Sequence, residues 1–222
     1  MECGSQVEEQ ASTVVKSKLL LLLALYIPVA LGQADYPPAY PREGATNVLE
    51  NEHVIVWDIS WLQEDYPFHR HRYDHTGVYY QPGDRIITSV EGEEREVHTD
   101  PWNISFQLAE VTHRESGIST EPLQAVFIQM KRPVSGAVAT DSSLPVFPHN
   151  NPLERRVNDR VRVWEYNSTV SGAEAAHVHK HDAVVVWFDA DTQPNVHFVT
   201  AGTSHLTDVP SAAARVFVFE IL

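Results

Sequence analysis

FHRHRYDH, at residues 68–75, recurs in shorter form as AHVHKHD at residues 176–182. An apolar run follows each histidine phrase, and one further histidine, His113 or His205, follows each run. The same phrase in the same surroundings is not expected by chance, and self-similarity of this kind decides the architecture before any local prediction. The sequence therefore predicts a duplicated unit.

Strand-like segments flank the histidines in both copies. VIVWD at residues 54–58 matches VRVWE at residues 161–165, and AVFI at residues 125–128 matches RVFVF at residues 215–219. These are short β-branched and aromatic runs separated by turn residues, and no long segment has helical periodicity. The sequence predicts an all-β chain with a barrel or jelly roll in each copy.

The His-x-His phrase suits metal binding. Side chains at positions i and i+2 of a strand point to the same face about 6.6 Å apart, so two imidazoles can converge on one ion. Histidine is the commonest side-chain metal ligand, and a later histidine can complete the set if the sheet closes. The predicted ligands are His69, His71, His113 and, after a turn, His75 at the first site, and His177, His179 and His205 at the second.

Each cluster also has an interpretation without metal. The first can be a set of solvent-facing histidines in a polar turn, and the second can be a former site now packed inside the barrel. Glu115, close to His113, could do acid–base work or bind a substrate carboxylate, but a solvated loop position is the stronger expectation. His149, in the proline-rich stretch between the copies, is expected at the surface.

The charge of the chain argues against two kinds of binding partner. A formal net charge of −14 disfavours binding to nucleic acid or to an anionic membrane surface, because both attract basic proteins. No nucleic-acid partner is therefore expected.

Residues 1–32 have the pattern of a secretory signal peptide. Lys16 and Lys18 precede an apolar stretch at residues 19–31, and small residues follow. The stretch is shorter than the roughly 20 residues of a membrane span, which favours a cleaved signal peptide. After cleavage no stable membrane insertion is expected. An uncleaved membrane anchor is the alternative. The predicted location is periplasmic or extracellular. The only cysteine, Cys3, lies in the removed segment, which excludes cysteine chemistry in the mature chain.

The repeated pattern resembles the cupin superfamily, specifically its two-domain members, the bicupins. Cupins carry His-x-His followed by a glutamate in a first motif and another histidine in a second motif. Both copies match the three histidine positions, and QPGD at residues 81–84 resembles the turn after the first motif. The resemblance implies tandem double-stranded β-helix barrels at residues 48–132 and 153–222, a lead-in at 33–47 and a linker at 133–152. It also implies a small-molecule ligand or substrate and a possible homodimer.

The sequence departs from the cupin pattern at the glutamate. His75 stands near its place in the first copy, and Ala183 or Val184 stands there in the second. A site made only of histidines is more positive and has a different redox potential. The implied cofactor is a divalent transition metal, namely iron, zinc, nickel, copper or manganese, with oxalate-type manganese chemistry disfavoured.

Two classes of function follow from the resemblance. The first is an exported metal-dependent enzyme, a cupin oxidoreductase in class, with dioxygenase-, isomerase- or lyase-type chemistry on a small oxygenated organic molecule. The second is a non-catalytic module that binds a ligand or holds metal structurally. A coordination position open to substrate distinguishes a catalytic metal site from a structural one.

Overall fold

The computed structural model describes residues 35–131, 143–149, 151–167, 176–189, 194–206, 213 and 215–222. Every regular element in these ranges is a β-strand, which confirms the all-β prediction. No helix in the described part is long and apolar enough to cross a membrane. The predicted signal peptide at residues 1–32 lies outside the described residues.

The first copy consists of nine strands in two facing antiparallel sheets. The strands are β1 (Ala45–Glu50), β2 (Val54–Trp61), β3 (His69–Arg70), β4 (Asp74–Gln81), β5 (Gly83–Ser89), β6 (Glu94–Thr99), β7 (Ile104–Gln107), β8 (Thr112–Gly117) and β9 (Leu123–Met130). One sheet has the order β1-β2-β9-β4-β7, and the other has the order β3-β8-β5-β6. The smaller sheet carries His69 and His113.

The second copy repeats this arrangement with fewer strands. Its strands are β10 (Leu153–Val157), β11 (Val161–Asn167), β12 (His177–Val178), β13 (Ala183–Phe188), β14 (Pro194–Val199), β15 (Ser204–His205) and β16 (Arg215–Ile221). The larger sheet has the order β10-β11-β16-β13-β14, and β12 pairs with β15. Only residues 189–193 connect β13 to β14, whereas β5 and β6 lie between β4 and β7. The second copy is therefore shortened by one hairpin.

Side-chain contacts match between the copies. The indole Nε1 of Trp57 donates to Oε1 of Gln129 at 2.9 Å. In the second copy, Nε1 of Trp164 donates to Oε2 of Glu220, also at 2.9 Å. In each copy the bond joins the second strand in chain order to the last one, β2 to β9 and β11 to β16. The repeat seen in the sequence thus extends to individual hydrogen bonds.

The two larger sheets pack against each other through their outer faces. Alternate residues of each strand enter either this shared core or the core inside one barrel, as the two-residue period of a strand requires. Burial on both faces explains why β13 reads as the continuous apolar run AVVVWF. The shared core includes Val54, Val56, Val78 and Ile128 from the first copy and Val163, Val186, Phe217 and Phe219 from the second.

Two side-chain contacts cross between the copies in matching positions. Nη2 of Arg160, just before β11, lies 3.2 Å from Oδ2 of Asp74, the first residue of β4. Nδ1 of His53, just before β2, lies 3.4 Å from Oδ2 of Asp182, which precedes β13. The contacts are reciprocal, so the two copies are related by an approximate two-fold rotation.

Segments ahead of each copy belong to its barrel. Pro38, in the lead-in, forms a parallel bridge with Arg70, and Val146, in the linker, forms one with Val178. The next aromatic residue in each segment enters the interior core of its own barrel: Tyr40 in the first copy and Phe147 in the second.

Candidate metal centres

The first candidate centre brings three of the predicted histidines together. His69 begins β3 and lies opposite His113 on β8, and His71 follows β3 directly. One nitrogen from each of the three rings lies within 4.8 Å of the others. Nε2 of His71 and Nε2 of His113 are 3.4 Å apart. Two imidazole nitrogens bound to one zinc ion in a tetrahedral site are separated by roughly this distance, because each Zn–N bond is about 2.0–2.1 Å.

His69 is already oriented for a metal. Its Nδ1 lies 3.0 Å from the carbonyl oxygen of Pro67, a contact that is a hydrogen bond only when Nδ1 carries the proton. Nε2 then has a free lone pair, and this atom is buried with no hydrogen-bond partner in the described part of the chain. A backbone carbonyl that fixes the tautomer of a ligating histidine is a recurring feature of metal sites. The donor set therefore fits a divalent transition metal.

His75 lies beside this triad. Its ring stacks on that of His71 with centroids 4.7 Å apart, and it tilts against Phe127 at 5.0 Å. The nitrogens within 4.8 Å of one another belong to the other three histidines. Burial lowers the pKa of His75 to about 4. It is therefore a neutral neighbour of the triad at physiological pH.

Burial also keeps the triad neutral. Removal from water penalises a charged imidazole, which lowers the pKa of His69, His71 and His113. Repulsion from neighbouring histidines lowers the pKa of His71 further. Neutral imidazole is the form that binds metal, so proton competition is weak at neutral pH.

Glu115 faces the triad from β8, and the expectation of a solvated loop residue is wrong. Its side chain is buried, because residues of β8 alternate and Glu115 shares the inward face with His113. Oε1 lies 3.9 Å from Nε2 of His113, and Oε2 accepts a hydrogen bond from Nε1 of Trp61 at 2.8 Å. Burial alone would raise the pKa of Glu115, but the charge of the Arg85 guanidinium and the hydrogen bond from Trp61 hold it below its usual range. Glu115 is therefore an ionised carboxylate.

A cleft of about 740 Å³ opens onto the first triad. Its lining includes His71, His75 and His113 together with Glu115, Arg85 and Arg95. A ligand in this cleft meets both the imidazoles and a set of charged groups.

The second candidate centre repeats the triad in different surroundings. His177 lies opposite His205 in the β12–β15 pair. One nitrogen each of His177, His179 and His205 lies within 4.8 Å of the others, and the Nε2 atoms of His177 and His179 are 3.2 Å apart. The adjoining cavity is smaller, about 300 Å³, and its other lining side chains are mostly apolar, including Phe147, Val185 and Val218.

Comparison with known proteins gives a match in structure only. No family model matches the sequence, and no curated protein matches it. AerE from Microcystis aeruginosa aligns with a TM-score of 0.51 at 9% identity, covering 84% of this chain and 98% of its own. A cupin domain from Bordetella pertussis is 21% identical, with a TM-score of 0.37, and covers 45% of this chain and 100% of its own. The polyketide cyclase RemF from Streptomyces resistomycificus is 12% identical, with a TM-score of 0.34, and covers 44% of this chain and 75% of its own.

The chain has the cupin fold. The double-stranded β-helix implied by the cupin resemblance is confirmed, and the AerE alignment is long enough to include parts of both copies. At these identities the likeness shows the fold alone, so the chemistry of the cupin barrels has to come from their own residues.

Strand register locates the position of the missing cupin glutamate. His75 of β4 pairs with Gln129, and Ala183 of β13 pairs with Glu220. Ala183, rather than Val184, is thus the counterpart of His75. In the second barrel a carboxylate stands one strand away, with Oε1 of Glu220 3.9 Å from Nδ1 of His179.

Sequence reasoning missed Glu220 and His149 in the second barrel. The ring of His149 lies 4.5 Å from that of His177, so the expectation of an ordinary surface position is wrong. Tyr166 donates to the carbonyl oxygen of His149 at 2.8 Å and so holds this segment over the cavity. Neither residue belongs to a His-x-His phrase, and each reaches the site through tertiary packing.

Proposed function

We propose that this chain is an exported, metal-binding bicupin whose first barrel is an enzyme site for a small oxygenated organic molecule. The observation that carries the proposal is the cleft of the first barrel, where neutral imidazoles face an ionised carboxylate and a buried guanidinium. Ionisable groups held by specific partners beside a cleft are typical of functional sites.

The first site suits a catalytic metal better than a structural one. Three histidines leave a coordination position for a substrate or water, as in catalytic centres with three protein ligands. When bound there, a divalent metal supplies Lewis acidity or, if redox-active, activation of oxygen. Dioxygenase-, isomerase- or lyase-type reactions are all compatible with such a centre.

The residues of the chain have separate roles in this proposal. Glu115 is ionised and can accept a proton from a substrate seated in the cleft. Trp61 holds one oxygen of that carboxylate, so the other faces His113. Tyr40 covers the triad from the lead-in, with its ring 6.5 Å from that of His71.

The second barrel favours a non-catalytic role. Its cavity is less than half the volume of the first cleft, and Phe147 stacks on His179 with ring centroids 4.3 Å apart. Apolar walls around a histidine cluster leave little room for a substrate, which suits a structural metal. Export is supported by the sequence of residues 1–32.

Elemental analysis of the purified full chain tests the proposal. We expect metal in the parent and loss of the catalytic-site metal in His69→Ala/His71→Ala. The matched control is His177→Ala/His179→Ala, which removes the same pair from the other barrel and should keep the first metal. If the bound metal is paramagnetic, it should enhance the relaxation rate of water protons only when it occupies the first site, where a coordination position is open to water. Absence of metal above background, with both variants folded like the parent, would rule the proposal out.

A further inference from the structure

Arg85 in the first cleft has hydrogen-bonding capacity that the protein does not use. It lies on β5, is 8% exposed and lines the cleft that contains the triad. Nη2 donates to the hydroxyl of Tyr79 at 2.9 Å. Nη1 and Nε are buried without a hydrogen-bond partner among the described residues. A buried donor left unsatisfied costs about 1–3 kcal/mol, so such atoms call for a partner.

The guanidinium is held rigidly. Its central carbon lies 4.9 Å from the ring centroid of Trp61 and 5.2 Å from that of Tyr79. Nε is 3.3 Å from Oε1 of Glu115, a close ionic contact that is not a hydrogen bond in its geometry. A preorganised guanidinium loses little side-chain entropy when it binds a ligand.

The charges of the cleft favour an anion. The lining includes two arginines, Arg85 and Arg95, and one carboxylate, Glu115. This local excess contrasts with the net charge of −14 of the whole chain. An anion therefore finds its favourable environment inside the cleft and not on the acidic surface.

We propose that the first cleft binds a small organic acid, with Arg85 donating to one carboxylate of the ligand and Arg95 guiding it at the mouth. The planar guanidinium matches a carboxylate, and a charge-assisted bond at Nη1 would satisfy its unused donor. This inference rests on the proposed function for its metal but not for its ligand contact. Binding of the acid is therefore measured without metal.

Calorimetric titration of the metal-free full chain with malonate, succinate and benzoate tests the proposal. At least one of these acids should bind, whereas the matching neutral amides should not. Arg85→Gln should weaken binding by roughly tenfold or more, because a charge-assisted hydrogen bond is lost. Arg95→Gln, at an exposed position, should weaken it a few-fold. Arg114→Gln is the matched control, since Arg114 points away from the cleft on the same strand as Glu115 and pairs with Glu94.

Glu115→Gln distinguishes a ligand site from an internal ion pair. Removing the competing carboxylate should tighten binding of the acid, an effect that a purely structural Arg85–Glu115 pair would not produce. If Arg85→Gln does not fold, Arg95→Gln and Glu115→Gln decide the question. The proposal is overturned if none of the acids binds, if amides or inorganic phosphate bind more tightly than the acids, or if Glu115→Gln leaves affinity unchanged. Loss of metal binding with retained acid binding would overturn only the proposed enzyme.

Discussion

Each histidine cluster has a carboxylate that differs from the cupin glutamate in position. Glu115 is two residues beyond His113 on β8, and Glu220 is on β16, across from the alanine that replaces the glutamate. Each accepts a hydrogen bond from a tryptophan, Trp61 or Trp164. Indole donors therefore fix both carboxylates in place beside the histidines. Neither carboxylate belongs to the motif that contains His-x-His.

The bond between Trp61 and Glu115 should contribute measurably to stability. We expect Trp61→Phe to lower the free energy of unfolding by about 1–3 kcal/mol, because a buried ionised acceptor loses its donor. Trp57→Phe is the matched control, since the corresponding indole donates to the neutral amide of Gln129. Its hydrogen-bond loss should cost only about 0.5–1.5 kcal/mol. Urea unfolding followed by circular dichroism measures both, and a larger cost for Trp57→Phe would contradict an ionised Glu115.

At the scale of strands, the two barrels fill the same place with different side chains. Gly77 of β4 pairs with Phe127 of β9, whereas Val185 of β13 pairs with Val218 of β16. A Cβ atom on Gly77 would lie 2.4 Å from Cδ1 of Phe127 and 2.2 Å from the carbonyl oxygen of Val126. The first copy thus fills this place with one large side chain, that of Phe127, opposite a glycine. The second copy fills it with two valines of medium size.

This exchange predicts coupling between the two positions. Gly77→Val and Phe127→Val should each destabilise the chain by about 2 kcal/mol or more, the first by overlap and the second by a cavity. The double variant copies the second barrel and should cost less than the sum of the two, because residues in contact are not additive. Denaturant unfolding of the three variants measures the coupling. Simple additivity would show that the two side chains do not share the space.

The histidine triads were predictable from the sequence because they depend on local rules. Two-residue alternation on β3 and β12 and a later histidine on the paired strand are enough to define them. His149 and Glu220 could not be found in this way, because they reach the second site through sheet register and through a segment that reads as a linker. The burial of Glu115 escaped detection because the sequence alone did not show that β8 continues through it.

At the scale of the molecule, the outer faces of the two larger sheets cover each other. A homodimer would therefore have to form through another surface.

The contacts that cross between the copies should contribute to global stability. We expect Arg160→Ala to destabilise the chain by about 1–3 kcal/mol, because it leaves the largely buried Asp74 without its ionic partner. Arg162→Ala is the control: its pair with Glu154 is exposed and should be worth under about 1 kcal/mol. Thermal unfolding ranks the two, and a greater loss for Arg162→Ala would contradict the role of the crossing contact.

Stability of the metal-free chain should fall in acid. The pKa of His75 is lowered in the folded state to about 4, and burial also lowers those of His69, His71 and His113. The unfolded chain therefore takes up protons first, and stability is lost as pH falls from about 6.5 towards 4, by up to about 1.4 kcal/mol for each unit of lowered pKa. Urea midpoints measured across this range test the expectation. His75→Gln should flatten the profile, and an unchanged slope would contradict a neutral buried His75.

The packing of the two larger sheets also has a consequence for divergence. In a symmetric dimer of identical barrels, every substitution appears in both sites at once. Here the two barrels that pack together belong to one chain and are encoded separately. A substitution in one barrel therefore leaves the sequence of the other unaltered. The first copy has the β5–β6 hairpin that carries Arg85 and Arg95, whereas the second connects β13 to β14 through residues 189–193 and surrounds its histidines with apolar side chains. Two copies on one chain can therefore hold binding sites of different character.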